Sequence, residues 1–384
     1  MPGPLAGVRV IELPALGPVP FVGMLLADLG AEVIRVDRLD AATDPLSRLP
    51  VGPAGPLGRG RRSIAVDLKQ AEGVAVVLDL AAGCDALIEG FRPGVAERLG
   101  VGPEPAQARN PRLVYGRMTG WGQSGALAPR AGHDITYLAV SGLLHGIGPA
   151  DGPPTPPANY LGDFGGGAMV LATGLLAALL SARTTGHGQV VDAAMVDGAA
   201  YLATMVRALH SSGDWRDERA SNIFDGGQPH YRCYRCSDGR FVAVGALEPK
   251  FWMTLLNALG LDPASTPSPY DPANHAELTD KLSAIFLTRT RDEWAERFEP
   301  LDACVAPVLT LAEAPQYRHN AERGSYVSSA GATVAAPVPR FDGAEPLPAS
   351  PQPPALGADT DTLLAELGYP PGRIAGLRAD QVVG

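Results

Sequence analysis

The sequence has few cysteines and histidines, and no targeting segment is evident at its start. Its 384 residues include four cysteines and seven histidines. Four cysteines in a chain of this length do not make a disulfide framework, so we expect a reducing compartment, with the cytoplasm as the default. No basic segment followed by an apolar core opens the chain, and we therefore expect no signal peptide.

The sequence also lacks an excess of basic residues. Its formal net charge is −10, which argues against non-specific binding to nucleic acid or to a membrane surface. The one long uncharged run, residues 165–182, falls short of the roughly 20 residues that a membrane-spanning helix needs. We interpret this run as a closely packed central helix, and we expect no membrane span.

Several motifs of common enzyme classes are missing as well. The turn after the first predicted strand, LPALGPVP, has prolines where a dinucleotide fingerprint has glycines. This argues against a nicotinamide-dependent oxidoreductase. G-x-S-x-G and P-loop motifs are also absent. Cys233 and Cys236 have the spacing of half a zinc site, but no second pair accompanies them, so we predict no metal.

The hydrophobic pattern predicts an α/β fold. Two β-branched runs, residues 8–13 and 32–37, flank a helical pattern from Pro18 to Gly30. A strand, a helix and a second strand within about thirty residues form a βαβ unit, which implies a parallel sheet. Further strands of the same kind are predicted at residues 64–68, 85–89 and 114–118.

The sequence pattern beyond residue 211 differs from the βαβ pattern that precedes it. A hairpin pattern around the Ser-Asp-Gly turn at residues 237–239, followed by helical patterns, predicts a smaller α+β domain. A proline-rich segment near the C-terminus is typical of an extended arm. We therefore predict a large domain over residues 1–211, a small domain over 229–330, and an arm over 335–384 that returns to the large domain.

Two residues in the central stretch form a candidate acid/base pair. Asp163 precedes Phe164 and three glycines at the start of the apolar run, a pattern that predicts a carboxylate at a helix N-terminus with unpaired N–H groups. His133 opens another apolar segment. Histidine and aspartate together can supply acid and base. A cap for Asp163 and a buried structural role for His133 are the alternatives.

Arginines are concentrated where predicted strands begin or end. They are Arg59, Arg61, Arg62, Arg92 and Arg98. In α/β proteins ligands bind beyond the carboxyl ends of the strands, and guanidinium groups bind phosphate bidentately. This cluster therefore suits a polyphosphate adenosine ligand such as coenzyme A. A solvated basic face paired with surface carboxylates is the alternative.

Seven segments in order resemble the class III coenzyme A transferase superfamily. They are LADLGAEVIRVDR, GRRSIAVDLK, IEGFRPGVAERLG, MTGWGQSG, GHDITYLAVSG, GDFGGG and GQVVDAAMVDG. The resemblance extends from Leu5 to about Phe341. It implies a large Rossmann-like domain with a parallel sheet built from both chain ends, a smaller inserted domain, and two chains interlocked as an obligate homodimer.

The resemblance also implies roles for particular residues. Asp163 matches the aspartate of the G-D-x-x-x-G motif, which is the nucleophile in transferase members and an acid/base group in racemase members. His133 matches the racemases' histidine, where many transferases have an aromatic residue. The expected activity is therefore racemisation of 2-methylacyl-CoA thioesters through an enolate, with Glu248 and Asn159 supporting the two bases. A coenzyme A transferase with Asp163 as nucleophile is the alternative.

The same resemblance implies the contacts to coenzyme A, which is part of the substrate and not a separate cofactor. These residues are Leu16, Arg38, Val66, Leu68, Gly90, Arg92, Arg98, Asp134 and Tyr137. The expected partners are an acyl-CoA thioester and a second copy of the chain. A non-catalytic acyl-CoA carrier would have no evident need for His133, Asp163 and Glu248 together. We also expect the glycines after Asp163 to offer N–H groups to the thioester oxygen.

Overall fold

The computed structural model describes residues 3–40, 52, 54–329, 331–342 and 352–384. The chain forms two compact units. The first comprises Met1–Ser141, Ala158–Leu202 and Arg318–Gly384, and the second comprises Gly142–Pro157 and Ala203–Tyr317. The domain limits predicted from the sequence, 211, 229, 330 and 335, stay predictions.

The first unit is built on a six-stranded parallel sheet, so the predicted α/β fold is confirmed. The strands are β1 Arg9–Glu12, β2 Glu32–Asp37, β3 Arg61–Ala65, β4 Ala86–Glu89, β5 Val114–Thr119 and β6 Val190–Ala194. Their order in the sheet is β3-β2-β1-β4-β5-β6. The order reverses between β1 and β4, and the crevice outside the carboxyl ends of the strands at such a point is where open α/β sheets bind ligands.

Helices of the first unit connect these strands and cover the sheet. They are α1 Pro18–Asp28, α2 Ala71–Ala82, α3 Val95–Leu99, α4 Pro103–Arg109, α5 Asp134–Ser141, a π-helix Tyr160–Ala168, α6 Met169–Thr185 and α7 Met195–Leu202. Buried Val, Ile and Leu side chains form two separate clusters: α2 contributes to one, and α1 and α6 contribute to the other. The strands are strongly apolar because a parallel sheet is buried on both faces.

The π-helix and α6 together form the apolar segment Tyr160–Thr185. Among the described residues, this one helix is long and apolar enough to cross a membrane. Its Leu171 and Leu175 side chains pack on β5, where a Cβ on Gly116 would lie 3.0 and 2.9 Å from them. A core helix of a globular unit passes the same test of length and composition, and these contacts place α6 in the core.

Glycines bring the π-helix very close to α7. A Cβ on Gly198 would lie 1.8 Å from the carbonyl oxygen of Gly166, and a Cβ on Gly166 would lie 2.6 Å from the nitrogen of Ala199. Asp163 lies in the first turn of a helix, as predicted, but the expectation that the glycines after it offer free N–H groups is wrong. The helix begins at Tyr160 and includes the glycines, whose small size serves packing, and a π-helix pairs its N–H groups with carbonyls five residues back.

The second unit contains a three-stranded antiparallel sheet in the order β7-β8-β9. Its elements are α8 Thr204–Ser212, β7 Tyr231–Arg235, β8 Phe241–Gly245, α9 Pro249–Leu259, α10 His275–Phe286, α11 Arg291–Phe298 and β9 Val305–Pro307. The predicted hairpin is present as β7 and β8. Buried aromatic side chains, among them Tyr234, Phe286 and Trp294, form the core of this unit.

The C-terminal part of the chain adds helices to the first unit. Its elements are α12 Arg318–Glu322, β10 Tyr326–Ser329, β11 Ala332–Ala335, α13 Thr360–Glu366 and α14 Pro371–Ala379. The strands β10 and β11 pair with each other. The six strands of the parallel sheet all lie between residues 9 and 194, so the unit, and not its sheet, is built from both chain ends.

The edge strand β3 is covered by side chains of this C-terminal part. Asp359 accepts a hydrogen bond from the Ser63 N–H at 2.8 Å, and Glu366 pairs with Arg62 at 2.8 Å. Leu363 and Leu377 join the same core cluster as α2. Covering an edge strand in this way prevents its pairing with a foreign strand.

The glycine contact between the π-helix and α7 can be tested by denaturation. We expect Gly198→Ala to lower the free energy of unfolding by about 1–3 kcal/mol, because the methyl group overlaps the Gly166 carbonyl. The control is Gly376→Ala in α14, where a Cβ meets nothing within 4 Å and the change should stabilise the helix by about 0.5–1 kcal/mol. Equal effects of the two substitutions would contradict the packing described.

Candidate active site

The segments that follow β1 and β4 lie against each other where the strand order reverses. A Cβ on Gly90, which follows β4, would lie 3.1 Å from the side chains of both Ala15 and Val19. Gly17 has a φ of 68°, and a Cβ there would lie 3.9 Å from Oδ2 of Asp163. The segment after β1, which also contains the exposed Leu16, therefore passes beside the carboxylate of Asp163.

His133 is fixed by its backbone at the start of α5. Its carbonyl oxygen accepts hydrogen bonds from the N–H groups of Thr136 and Tyr137 at 2.8 and 3.2 Å. Its own N–H donates to Oγ1 of Thr136 at 3.0 Å. The residue itself is exposed. The imidazole therefore extends from an anchored backbone toward solvent, which is suitable for a group that exchanges protons with a ligand.

Asp163 lies in the first turn of the π-helix and is half-buried. Its N–H donates to Oδ1 of Asp134 at 2.7 Å, and its Oδ2 accepts from the amide of Asn159 at 3.4 Å. Burial, and next the negative charge of Asp134, raise the pKa of Asp163, while the Asn159 hydrogen bond and the charge of His133 oppose this shift. A raised pKa allows the carboxyl group to act as acid and as base closer to neutral pH.

A cavity of about 260 Å³ adjoins His133 within the first unit. Its lining includes Gly90, Arg92, Trp121, Arg130, His133 and Tyr137. The Tyr137 ring occupies space that a Cβ on Gly120 or Gly132 would enter, and it packs edge-to-face on Trp121 at 4.8 Å. Trp121 lies within the recognised segment MTGWGQSG and Arg130 lies two residues before GHDITYLAVSG, but neither was predicted as a site residue from the sequence.

The remaining residues predicted to contact coenzyme A differ in whether their side chains are accessible to a ligand. Arg92 and Arg98 are exposed, and among the described residues their side chains form no ion pair. Arg38 pairs with Asp40 at 3.2 Å, and both side chains are exposed. Val66 is buried in the core and Leu68 packs against the same cluster, so the side chain of Val66 is not available to a ligand.

Three other arginines of the predicted phosphate-binding cluster serve the fold. Arg61 is fully buried and pairs with Glu12 at 2.9 Å. Arg59 pairs with Asp28, and Arg62 pairs with Glu32 at 2.7 Å. Neither predicted role, a phosphate site or a solvated basic face, applies to the two buried guanidinium groups, because a buried charge requires a partner of opposite sign. Their acidic partners were not identifiable from the sequence because they are 31 and 49 residues away.

Glu248 belongs to the second unit. It is exposed and precedes α9, and its carbonyl oxygen accepts the N–H groups of Phe251 and Trp252 at 3.0 Å. Burial, and to a lesser extent the charge of Glu248, raises the pKa of Tyr270. Cys233 and Cys236 lie on β7 and just after it, and the described part of the chain has no cluster of three or more His, Cys, Asp or Glu residues able to hold a metal ion.

Residues 5–360 match the sequence profile of CoA-transferase family III. The chain belongs to this family. It is 42% identical to the α-methylacyl-CoA racemases of Mus musculus and Homo sapiens over 380 residues, which cover 99% of this chain and 97% of each relative. The motif-based resemblance is thereby confirmed.

Other relatives extend the comparison to transferases and to solved structures. A succinyl-CoA:glutarate CoA-transferase of Mus musculus is 31% identical over 397 residues, covering 99% of this chain and 90% of that protein. The crystal structure of a CaiB/BaiF family protein from Brucella suis has a TM-score of 0.81 at 26% identity, covering 96% of this chain and all of that chain. The family fold therefore extends over nearly the entire chain.

The structural role of Arg61 can be distinguished from that of an exposed arginine by measuring the free energy of unfolding of alanine variants. We expect Arg61→Ala to lower the free energy of unfolding by about 3–5 kcal/mol, because Glu12 would be left buried without its partner. Arg92→Ala, at an exposed side chain, should change it by no more than about 0.5 kcal/mol. Comparable values for the two variants in a denaturant titration would contradict the structural role of Arg61.

Proposed function

We propose that this chain is an α-methylacyl-CoA racemase that interconverts (R)- and (S)-2-methylacyl-CoA thioesters. The observation that carries the proposal is the 42% identity to two racemases over 99% of the chain, against 31% to the transferase named above. His133 supports the same conclusion, because racemase members use a histidine at the position where many transferases have an aromatic residue.

The chemistry requires two bases on opposite faces of one carbon. An α-proton beside a thioester is weakly acidic, and its removal gives a planar enolate. Inversion follows when one residue removes the proton from one face and another returns a proton to the opposite face. We assign these two roles to His133 and Asp163. The raised pKa of Asp163 favours a carboxyl group that holds a proton and can release it.

Two further residues are proposed as supports. Asn159 donates its amide to Asp163 at 3.4 Å, and this hydrogen bond stabilises the ionised carboxylate that must form during each turnover. Glu248 is proposed as the partner of His133, an assignment that rests on the family resemblance. The glycines within the π-helix are not proposed as donors to the enolate oxygen, because they lie inside a helix.

We also propose where coenzyme A binds. Arg92 and Arg98 follow β4, are exposed, and form no ion pair among the described residues, so their guanidinium groups are available to phosphates. Leu16, Arg38, Leu68, Gly90, Asp134 and Tyr137 complete the proposed contact set, together with Val66, whose buried side chain leaves only its backbone for such a contact. In this proposal coenzyme A enters as part of the substrate, and the reaction needs no resident metal or redox cofactor.

The assembly is proposed to be an interlocked homodimer. Large apolar side chains of the first unit are exposed, among them Leu180 at 68%, Tyr160 at 63% and Val140 at 60%. Apolar exposure of this extent supports a protein partner, and the family resemblance indicates a second copy of the chain. The proposed compartment is the cytoplasm, because all four cysteines are free thiols.

The activity is tested by incubating the protein with (S)-2-methylacyl-CoA in deuterated water, with and without a free carboxylic acid. We expect the (R) thioester to form with deuterium at the α-carbon, and we expect no coenzyme A on the free acid. Transfer of coenzyme A to the acid without α-deuteration would support the transferase alternative and contradict the proposal. Absence of both reactions would contradict it as well.

A further inference from the structure

Asp134 makes a contact that its expected role in coenzyme A binding does not explain. Its carboxylate is buried, and Oδ1 accepts the N–H of Asp163 at 2.7 Å. The approach is so close that a Cβ on Gly162 would lie 2.4 Å from the same oxygen. The carboxylate therefore contacts the peptide that joins Gly162 to Asp163, and only glycine at position 162 permits this contact.

Only one of the two oxygens of the buried Asp134 carboxylate has a hydrogen-bond partner among the described residues. Its Oδ2 is buried and has no hydrogen-bond partner among the described residues. An unpartnered buried polar atom costs stability, and such an atom in a folded protein calls for an explanation beyond packing. The hydrogen bond that Oδ1 accepts from the Asp163 N–H provides such an explanation for the burial of this carboxylate.

We propose that Asp134 is a positioning residue of the racemase site, whose carboxylate fixes the peptide that carries Asp163. The inference rests on the proposed function. His133 immediately precedes Asp134 at the start of α5, and Asp163 lies in the π-helix. The hydrogen bond from the Asp163 peptide to Asp134 therefore joins the two segments that carry the proposed bases.

The charge of Asp134 has a second effect on Asp163. The titratable groups that face Asp163 are Asp134, His133 and Tyr137, all on or just before α5, and the uncharged Asn159 donates from the segment before the π-helix. The loop after β1 brings Gly17 near the carboxylate. Because Asp134 is the anion among them, removing its charge should lower the pKa of Asp163.

Two substitutions of Asp134 distinguish its effect on the position of Asp163 from the effect of its negative charge. Asp134→Asn keeps an acceptor oxygen and removes the charge, whereas Asp134→Ala removes both. The control is Asp85→Asn, since Asp85 also accepts a backbone N–H, that of Arg9 at 2.9 Å, but lies at the amino end of β4, away from the carboxyl ends of the strands. Melting temperatures are recorded for all variants, and the rate of α-proton exchange is measured for each enantiomer across pH.

The readout is the enantiomer that still exchanges when His133 is replaced by Ala, because its exchange depends on Asp163 alone. For this enantiomer we expect Asp134→Asn to move the acidic limb of the pH–rate profile to lower pH with less than a tenfold loss of rate. Asp134→Ala should lose about 10²-fold, the effect of misplacing a reacting group. Asp85→Asn should retain the wild-type rate and profile.

Hydrogen–deuterium exchange of the backbone around residue 163 measures the same contact without substrate. We expect faster exchange in Asp134→Ala than in Asp134→Asn. An unmoved acidic limb in Asp134→Asn, a rate loss under threefold in Asp134→Ala, or equal losses in Asp85→Asn would overturn the inference. The wild-type protein could fail to racemise any substrate while the backbone exchange of the variants still changes as expected. In that case the proposed function fails, but the inference that Asp134 fixes the Asp163 peptide stands.

Discussion

The site depends on how closely the π-helix packs against its neighbours. Gly162 allows the carboxylate of Asp134 to reach the peptide of Asp163 at 2.7 Å, and Gly166 with Gly198 allows contact with α7. Side chains at these positions would force the helices apart. Because Asp163 lies in the same helical turn, its position relative to His133 follows from this packing, and so does its partial burial, which raises its pKa.

The parallel sheet is the frame on which the segments carrying His133 and Asp163 are placed. The strand order reverses between β1 and β4, and the segments that follow these two strands pack against each other. Buried guanidinium groups such as that of Arg61 pair with carboxylates such as Glu12, while Arg92 and Arg98 are exposed. Burial, and not position in the sequence, therefore decides which of these arginines serve the fold.

Much of the fold follows from local sequence patterns. The βαβ unit and the hairpin formed by β7 and β8 match their predictions, because apolar patterns and flanking turn residues define them. The π-helix could not be predicted, since a run of glycines after an aspartate is equally typical of an open turn. The hydrogen bond between Asp134 and the Asp163 peptide could not be predicted from the sequence either, because it joins residues 29 positions apart and depends on how two helices pack.

The account's central claim is that His133 and Asp163 each serve one face of the substrate, and enantiomer-specific exchange tests it most directly. Each enantiomer of a 2-methylacyl-CoA is incubated in deuterated water with the His133→Ala and Asp163→Ala variants, and α-deuterium is measured before and after chiral separation. We predict that neither variant racemises and that each exchanges one enantiomer, a different one for each variant. Exchange of the same enantiomer by both variants, or racemisation at the wild-type rate by His133→Ala, would contradict the two-base account.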